Sequence, residues 1–244
     1  MILVQKNNYK EYVTLNIKVT PRNTLTALLS IVFCLFIAHM VGVFYKIIFE
    51  QDELLSVFKM FDFGSERNVP TLYASMTLLL SSLLLMLIAH TQKKAQERYL
   101  LWALLSLVFL FLSMDELFSF HERLTSPSRN LFEAKGVFYY AWIIPYGLAL
   151  LAFCALYFRF LIQLPRKSMY LFVVSGVLFV TGAIGFEMLG GMLEESGNRS
   201  TIIYALAQTA EELFEKLGIA LFIYSLLDYL VNQYDEFKLE LVSK

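Results

Sequence analysis

Charge is what this sequence is short of. Asp, Glu, Lys and Arg make up 17% of its 244 residues, against about 25% in soluble domains. It also lacks a basic surplus: twenty Lys and Arg face twenty-one Asp and Glu for a net charge of −1, which leaves no electrostatic footprint for nucleic acid. Its two cysteines, Cys34 and Cys154, both fall inside apolar stretches, so no disulfide framework is expected. What remains is hydrophobic, at 58% of positions, and a soluble fold is excluded on composition alone.

Six apolar stretches can be marked off, at residues 24–49, 71–90, 99–122, 139–162, 169–193 and 201–231. Each is long enough to cross a hydrocarbon core of about 30 Å at about 1.5 Å per residue. They show no period-2 alternation, and a backbone in lipid must satisfy its own hydrogen bonds, so helices are expected rather than a barrel. The reading is an all-α polytopic bundle of six transmembrane helices at 24–231, between an N-terminal segment at 1–23 and a C-terminal tail at 232–244. No stretch outside the bundle is long enough for a separate soluble domain. The 23 residues ahead of the first run are too mixed for a signal-peptide n-region, and the first helix is expected to stay in the mature protein.

Lys and Arg prefer the cytoplasmic side. With the N-terminus inside, twelve of them flank the inner face and seven the outer, and the connections TQKKAQER and QLPRKS both agree. Both termini are therefore predicted cytoplasmic. Before the first span Val13, Leu15, Ile17 and Val19 alternate with polar residues up to Pro21, the pattern of a short strand against the bundle or the membrane surface. The outer loop at 50–70 is acidic and aromatic, and long enough to fold over the bundle mouth.

The informative residues are the acids that interrupt apolar spans: Asp115, Glu116, Glu122, Glu187, Glu211, Glu212 and Glu215. An intramembrane charge costs about 2.5–3.5 kcal/mol on insertion scales, so such acids face the bundle interior and pair, take up protons or bind cations. Counted from the inner helix ends, Asp115 and Glu116 rise about 25 Å, Glu187 about 27 Å, Glu215 about 24 Å and Glu211 about 30 Å. Helices three, five and six thus bring acids to one level, predicting a single cluster that opens outward. Gln208, Glu211, Glu212 and Glu215 follow i, i+3, i+4, i+7 spacing and form one polar stripe that cannot face lipid. Lys216 stands four residues after Glu212, in the favourable order for an intrahelical ion pair.

On the fifth helix Glu187 shares a side with Gly176, Ala183, Gly190 and Gly191, where small residues let a neighbour approach closely. The bland alternative is one structural hydrogen bond from Glu187 in that interface. On the third helix Asp115, Ser119 and Glu122 share one side, and Glu116 and Arg123 stand seven residues apart on another, placed to pair near the surface. His121 lies among the acids, as a mouth residue or a solvated interfacial histidine. His39 falls mid-span and reads as a hydrogen-bonded core histidine; His90 sits at the inner boundary. Thr71, Ser75 and Ser82 offer either a hydroxyl lining or interhelical bonding.

Oxygen ligands of this kind suit Mg²⁺, Ca²⁺ or Mn²⁺, and with a histidine iron or zinc, so a divalent metal ion is the one cofactor to expect. The Glu-x-x-His repeat of di-iron bundles is missing: Ser119 follows Glu116 by three, and Glu215 follows Glu212. HExxH, GxxxxGK[ST] and GxSxG are missing too. Asp115-Glu116-Leu117-Phe118 recurs as Glu211-Glu212-Leu213-Phe214 on helices expected to run oppositely, the arrangement of two inverted three-helix repeats.

The segments FDFGSERNVPTLYAS, FLSMDELFSFHERL, RFLIQLPRKSMYLFVVSGVLFVTGAIGFEMLGG and EELFEKLGIALFIYSLLDYL resemble a group of uncharacterised bacterial six-helix membrane proteins, some bearing the name multidrug transporter. The shared patterns are DELxxxHE, GxxGxExxGG and EExxExxG, over most of residues 60–230. The resemblance implies a multi-pass protein of the bacterial inner membrane, with Asp115, Glu116, His121, Glu122, Glu187, Glu211, Glu212 and Glu215 in the shared pattern, and it transfers no mechanism. The leading expectation is an outward-facing site that binds a cation or exchanges protons, coupled to movement of a small solute. Its partners are the lipid bilayer and that solute. A metal-dependent membrane enzyme acting on a lipophilic substrate and a structural or assembly protein are the alternatives.

Overall fold

The computed structural model describes residues 2–7, 10–15, 20–49, 56–233 and 240–241. Its body is all-α: α1 (Pro21–Ile48), a short α2 (Ser56–Lys59), α3 (Val69–Lys94), α4 (Leu100–Phe118), α5 (Phe120–Phe132), a 3-10 turn (Gly136–Phe138), α6 (Ile143–Gln163), α7 (Arg166–Val180), a π-helical turn (Thr181–Phe186), α8 (Glu187–Glu195) and α9 (Ile202–Gln233). Starts are set locally. The Thr20 side chain accepts from the Asn23 amide ahead of Pro21, and Asn68 accepts from the Thr71 amide ahead of Pro70. The two ends of the chain meet in an antiparallel sheet of order β1 (Ile2–Asn7), β2 (Lys10–Leu15), β3 (Glu240–Leu241), with Val13 opposite Leu241. The strand expected from Val13 onward therefore begins earlier and has neighbours on both sides; residues 16–19 lie outside the described residues, as do 50–55 of the outer loop.

Among the described residues five helices are long and apolar enough to cross a membrane: α1, α3, α4, α6 and the α7–α8 rod. They leave large apolar side chains on the outside, among them Phe33, Leu83, Leu107, Leu151 and Val177. α9, at 32 residues, is equally long, but its acids and Lys216 interrupt the apolar run. It is the enclosed helix: from Ala207 to Leu230 no residue is exposed. α1, α3, α7, the π turn and α8 all pack on it. The helix least fit for lipid is the one the others wrap.

Small residues set how closely the helices approach. A Cβ on Gly218 would lie 2.7 Å from the Phe179 amide nitrogen and 2.9 Å from the Ser175 carbonyl oxygen, and one on Gly182 would lie 2.7 Å from the Glu211 carbonyl oxygen. Two glycines thus hold the α7 rod against α9. Gly176, expected in the same seam, has nothing within 4 Å of its would-be Cβ and lines a cavity instead. It shares that cavity with Ala183, Glu187 and Gly190, the residues expected on its side of the helix, but no neighbouring helix closes on it there. α3 and α4 are joined by two reciprocal serine pairs. Ser75 and Ser113 each donate to the other's carbonyl at 2.8 Å, and Ser82 and Ser106 do so at 2.8 and 2.9 Å. Ser75 and Ser82 therefore bond helices together and are not a lining.

Gly218→Ala should lower stability by about 1–3 kcal/mol, because its Cβ would meet backbone that cannot yield, whereas Ser82→Ala should cost about 0.6 kcal/mol, the average for a hydrogen bond between membrane helices. Unfolding in detergent with graded denaturant ranks the two; equal effects would contradict the glycine seam.

Candidate functional site

The third span does not run through to residue 122. α4 ends at Phe118, and Ser119 takes a left-handed conformation (φ 52°, ψ 49°) that starts α5 in a new direction. Asp115 holds this corner. Its Oδ1 accepts from the His121 amide at 2.9 Å, and its Oδ2 lies 3.2 Å from His121 Nδ1. The carboxylate thus sits at the α5 N-terminus, where the helix dipole favours negative charge, and it orients the imidazole. Ser119 Oγ donates to Glu66, which lies 3.9 Å from His121 Nε2. The break also changes the fate of Glu116. It does not pair with Arg123, which lies over the Phe120 ring, but interacts with Glu212, Lys216, His121 and Glu66.

A seven-residue ladder joins α4 to α9. Trp102 meets Tyr229 at 5.0 Å between ring centroids, and Phe109 stacks on Phe222 at 4.5 Å. One further step along both antiparallel helices puts Glu116 opposite Glu215, and the two carboxylates do interact. Lys216, 1% exposed, pairs with Glu212 as the i, i+4 spacing predicts, and its ammonium lies 5.1 Å from the Phe63 ring centroid. On the other side of α9, Glu211 faces Glu187 at the start of α8, and Trp142 Nε1 donates to Glu187 Oε1 at 3.1 Å. The Lys216 ammonium thus pairs with Glu212 and lies near Glu116 and Glu215, while Glu187 and Glu211 face each other on the other side of α9.

All eight residues singled out in the sequence, Asp115, Glu116, His121, Glu122, Glu187, Glu211, Glu212 and Glu215, line one cavity of about 1400 Å³. Its acidic end carries them; its long remainder is walled by apolar residues of α4, α6 and α7, including Val108, Leu112, Leu150, Phe153 and Phe179. Among the described residues no three His, Cys, Asp or Glu side chains converge closely enough to hold a metal ion. The acids are instead spread over the Asp115–His121, Glu187–Glu211 and Glu212–Lys216 contacts, which give a divalent cation no ready donor set.

Sequence reasoning missed the aromatic and loop contributions. Glu66 reaches the cavity from the loop between α2 and α3, whose Phe63 is buried against His39 at 4.6 Å, stacked within 5°. The Phe63 amide donates to His39 Nδ1 at 3.1 Å and Nε2 lies 3.0 Å from Thr209 Oγ1, so His39 is the hydrogen-bonded core histidine expected. Asp62 lies 3.4 Å from the same Nδ1. At the rim Tyr140 donates to Glu194, with the Tyr204 hydroxyl 3.0 Å away, and burial followed by these bonds pushes the Tyr140 phenol up. Arg129 caps the Tyr139 carbonyl at 2.6 and 3.0 Å and lies over that ring. The only advance signal was the acidic, aromatic character of the first outer loop; nothing in the pattern picked out Trp142 or Tyr146.

Among the described residues five helices are long and apolar enough to cross a membrane, and four of them, α3, α4, α6 and the α7–α8 rod, contribute with α9 to an acid-lined cavity; the class is a multi-pass α-helical membrane protein. Residues 24–229 match the family model described as a domain of unknown function, DUF8692, and the chain belongs to that family. No curated protein and no solved structure matches it.

Burial lowers the pKa of the His121 imidazolium, but Asp115, through its hydrogen bond and its charge, with Glu66 and Glu116, outweighs this and pulls it up to about 8. Burial, then Glu66, pushes the neighbouring Glu122 carboxyl up as well. A histidine raised above its ordinary value near 6.5 adds stability that is complete below about pH 6.5 and is lost as pH rises through about 8. The gap in melting temperature between the wild type and His121→Gln should therefore be widest at pH 6 and close by pH 9. In Asp115→Asn the histidine should titrate nearer 6.5, as followed by imidazole NMR.

Proposed function

We propose that this chain is a six-span protein of the bacterial inner membrane whose outward-facing carboxylate cluster exchanges protons, or holds a cation in their place, and couples that exchange to movement of a solute through the adjoining cavity. The observation that carries the reading is that Glu116, Glu187, Glu211, Glu212 and Glu215, all on long helices of the bundle, line one cavity, while the buried Lys216 beside them forms its ion pair with Glu212. Excess buried carboxylates do not remain ionised without a counterion, so they must gain and lose protons or cations as their surroundings change. Protons are favoured over a divalent metal because the acids lie in separate pairs. The acid-flanked His121 at the mouth is suited to pass protons between water and Glu116.

Supporting the sixth span, α9 has the length to cross, and the chain's two ends join in one sheet, as an even number of crossings requires. Both ends are taken as cytoplasmic from the Lys and Arg bias. The enzyme alternative keeps one observation in its favour, the Asp115–His121 pair beside an apolar cavity, which has the form of an oriented general base.

Two measurements check this. Infrared difference spectra between pH 5 and pH 9 should show carboxyl groups changing protonation, and Glu211→Gln with Glu215→Gln should remove most of that signal; a wild type without titrating carboxyls would falsify the proton reading. Reporter fusions active only in the cytoplasm should work at residues 93–98 and 164–168 and fail at 123–135; the reverse pattern overturns the orientation.

A further inference from the structure

The cavity is far longer than its acidic end requires. α6 is pinned to α4 near the bottom, where Tyr157 Oη donates to the Leu101 carbonyl at 2.9 Å and Phe160 meets Trp102 edge-on at 4.9 Å. Near the top Tyr146 comes within 6.4 Å of Phe111. Between these points the two helices bound an apolar slot lined by Leu104, Val108, Leu150 and Phe153, about 16 Å long by helical rise from Tyr146 to Tyr157. Gly176 leaves it open from the α7 side. Protons, or a small hydrated cation, would leave this slot unfilled.

The head of the slot has a second character besides its acids. Trp142 and Tyr146 meet at right angles at 5.1 Å, with the His121 ring 4.9 Å from Trp142, and all three line the cavity beside Glu187 and Glu116. An aromatic corner backed by carboxylates is the recognition chemistry of an ammonium group, through ring faces and opposite charge together. It rejects phosphate or carboxylate heads by like-charge repulsion.

We propose that this cavity binds a single-chain amphiphile with an ammonium head, the head between the Trp142–Tyr146 corner and Glu116, Glu187 and Glu215, and the alkyl tail along the slot between α4 and α6. The inference rests on the reading of these carboxylates as an exchangeable site: the ammonium takes the place that protons or a cation would otherwise occupy, and it names the solute class moved. Charge complementarity selects the head, and the slot selects the tail. A chain already dissolved in the bilayer gains little by moving to another apolar environment, so discrimination among amphiphiles falls on the head.

The test uses the full chain in phosphatidylcholine nanodiscs and radiolabelled dodecylammonium, with empty nanodiscs as the partition control and dodecanoate and dodecanol as head-group controls. Saturable binding near one per protein is expected for dodecylammonium, at least tenfold tighter than for either control. Glu116→Gln with Glu215→Gln should weaken it tenfold or more. Gly176→Phe, whose ring enters open slot, should abolish it, and Ala149→Phe, from the α6 wall, gives the same reading should the first variant fail to fold. No binding above empty discs, equal binding of dodecanoate, or undiminished binding in a folded slot-filled variant would each overturn the proposal. Infrared spectra of the same samples separate the two failures: titrating carboxyls without dodecylammonium binding remove only the amphiphile, while their absence removes the exchange site itself.

Discussion

The structure depends on keeping the polar stripe of α9 out of lipid. Gln208, Glu211, Glu212, Glu215 and Lys216 fall within little more than two turns of a helix that is otherwise apolar enough for a membrane. Such a stripe has to face protein rather than lipid, and here the helix is enclosed on every side from Ala207 to Leu230 rather than on that face alone. Enclosing the helix removes the conflict. α1, α3 and the α7–α8 rod close around it, and their own apolar outer faces take the lipid contact.

Enclosure has a geometric cost that the small residues meet. Gly182 and Gly218 let two backbones approach to distances no side chain would allow, and this close seam places the π turn beside Glu211 and Glu215. Directly after the turn Glu187 opens α8 and meets Glu211 and the Trp142 indole. A single irregular turn thus connects packing to electrostatics. α6, by contrast, is held mainly at its ends and leaves the slot beside the acids. Tight packing on one side of α9 and loose packing on the other give the cavity its two-part character, acidic above and apolar below.

The site was legible in the sequence to an unequal degree. The i, i+3, i+4, i+7 stripe on α9 and the depth of Asp115, Glu116 and Glu187 were enough to predict one shared cluster, because rise per residue and helical phase are properties of the chain alone. The Lys216–Glu212 pair followed from the same periodicity. The partner of Glu116 did not: a continuous helix to residue 122 aligned it with Arg123, and the left-handed Ser119 destroyed that alignment. Gly176 does share the cavity side with Ala183, Glu187 and Gly190, but the close helix approach expected there occurs at Gly182 and Gly218 instead. Of the two roles open to Thr71, Ser75 and Ser82, the serines took interhelical bonding between α3 and α4 while Thr71 lines the cavity, since hydroxyl direction depends on which helix is the neighbour.

What the chain determined by itself was its solvent, its all-α class and the level at which its acids lie, all consequences of hydrophobic length and of fixed helix geometry. Tertiary structure alone decided which helix is central, where phase is broken, and which aromatic side chains join the acids. Those outcomes arise from contacts between segments far apart in sequence, where a break at Ser119 redirects everything beyond it, and no local pattern records them.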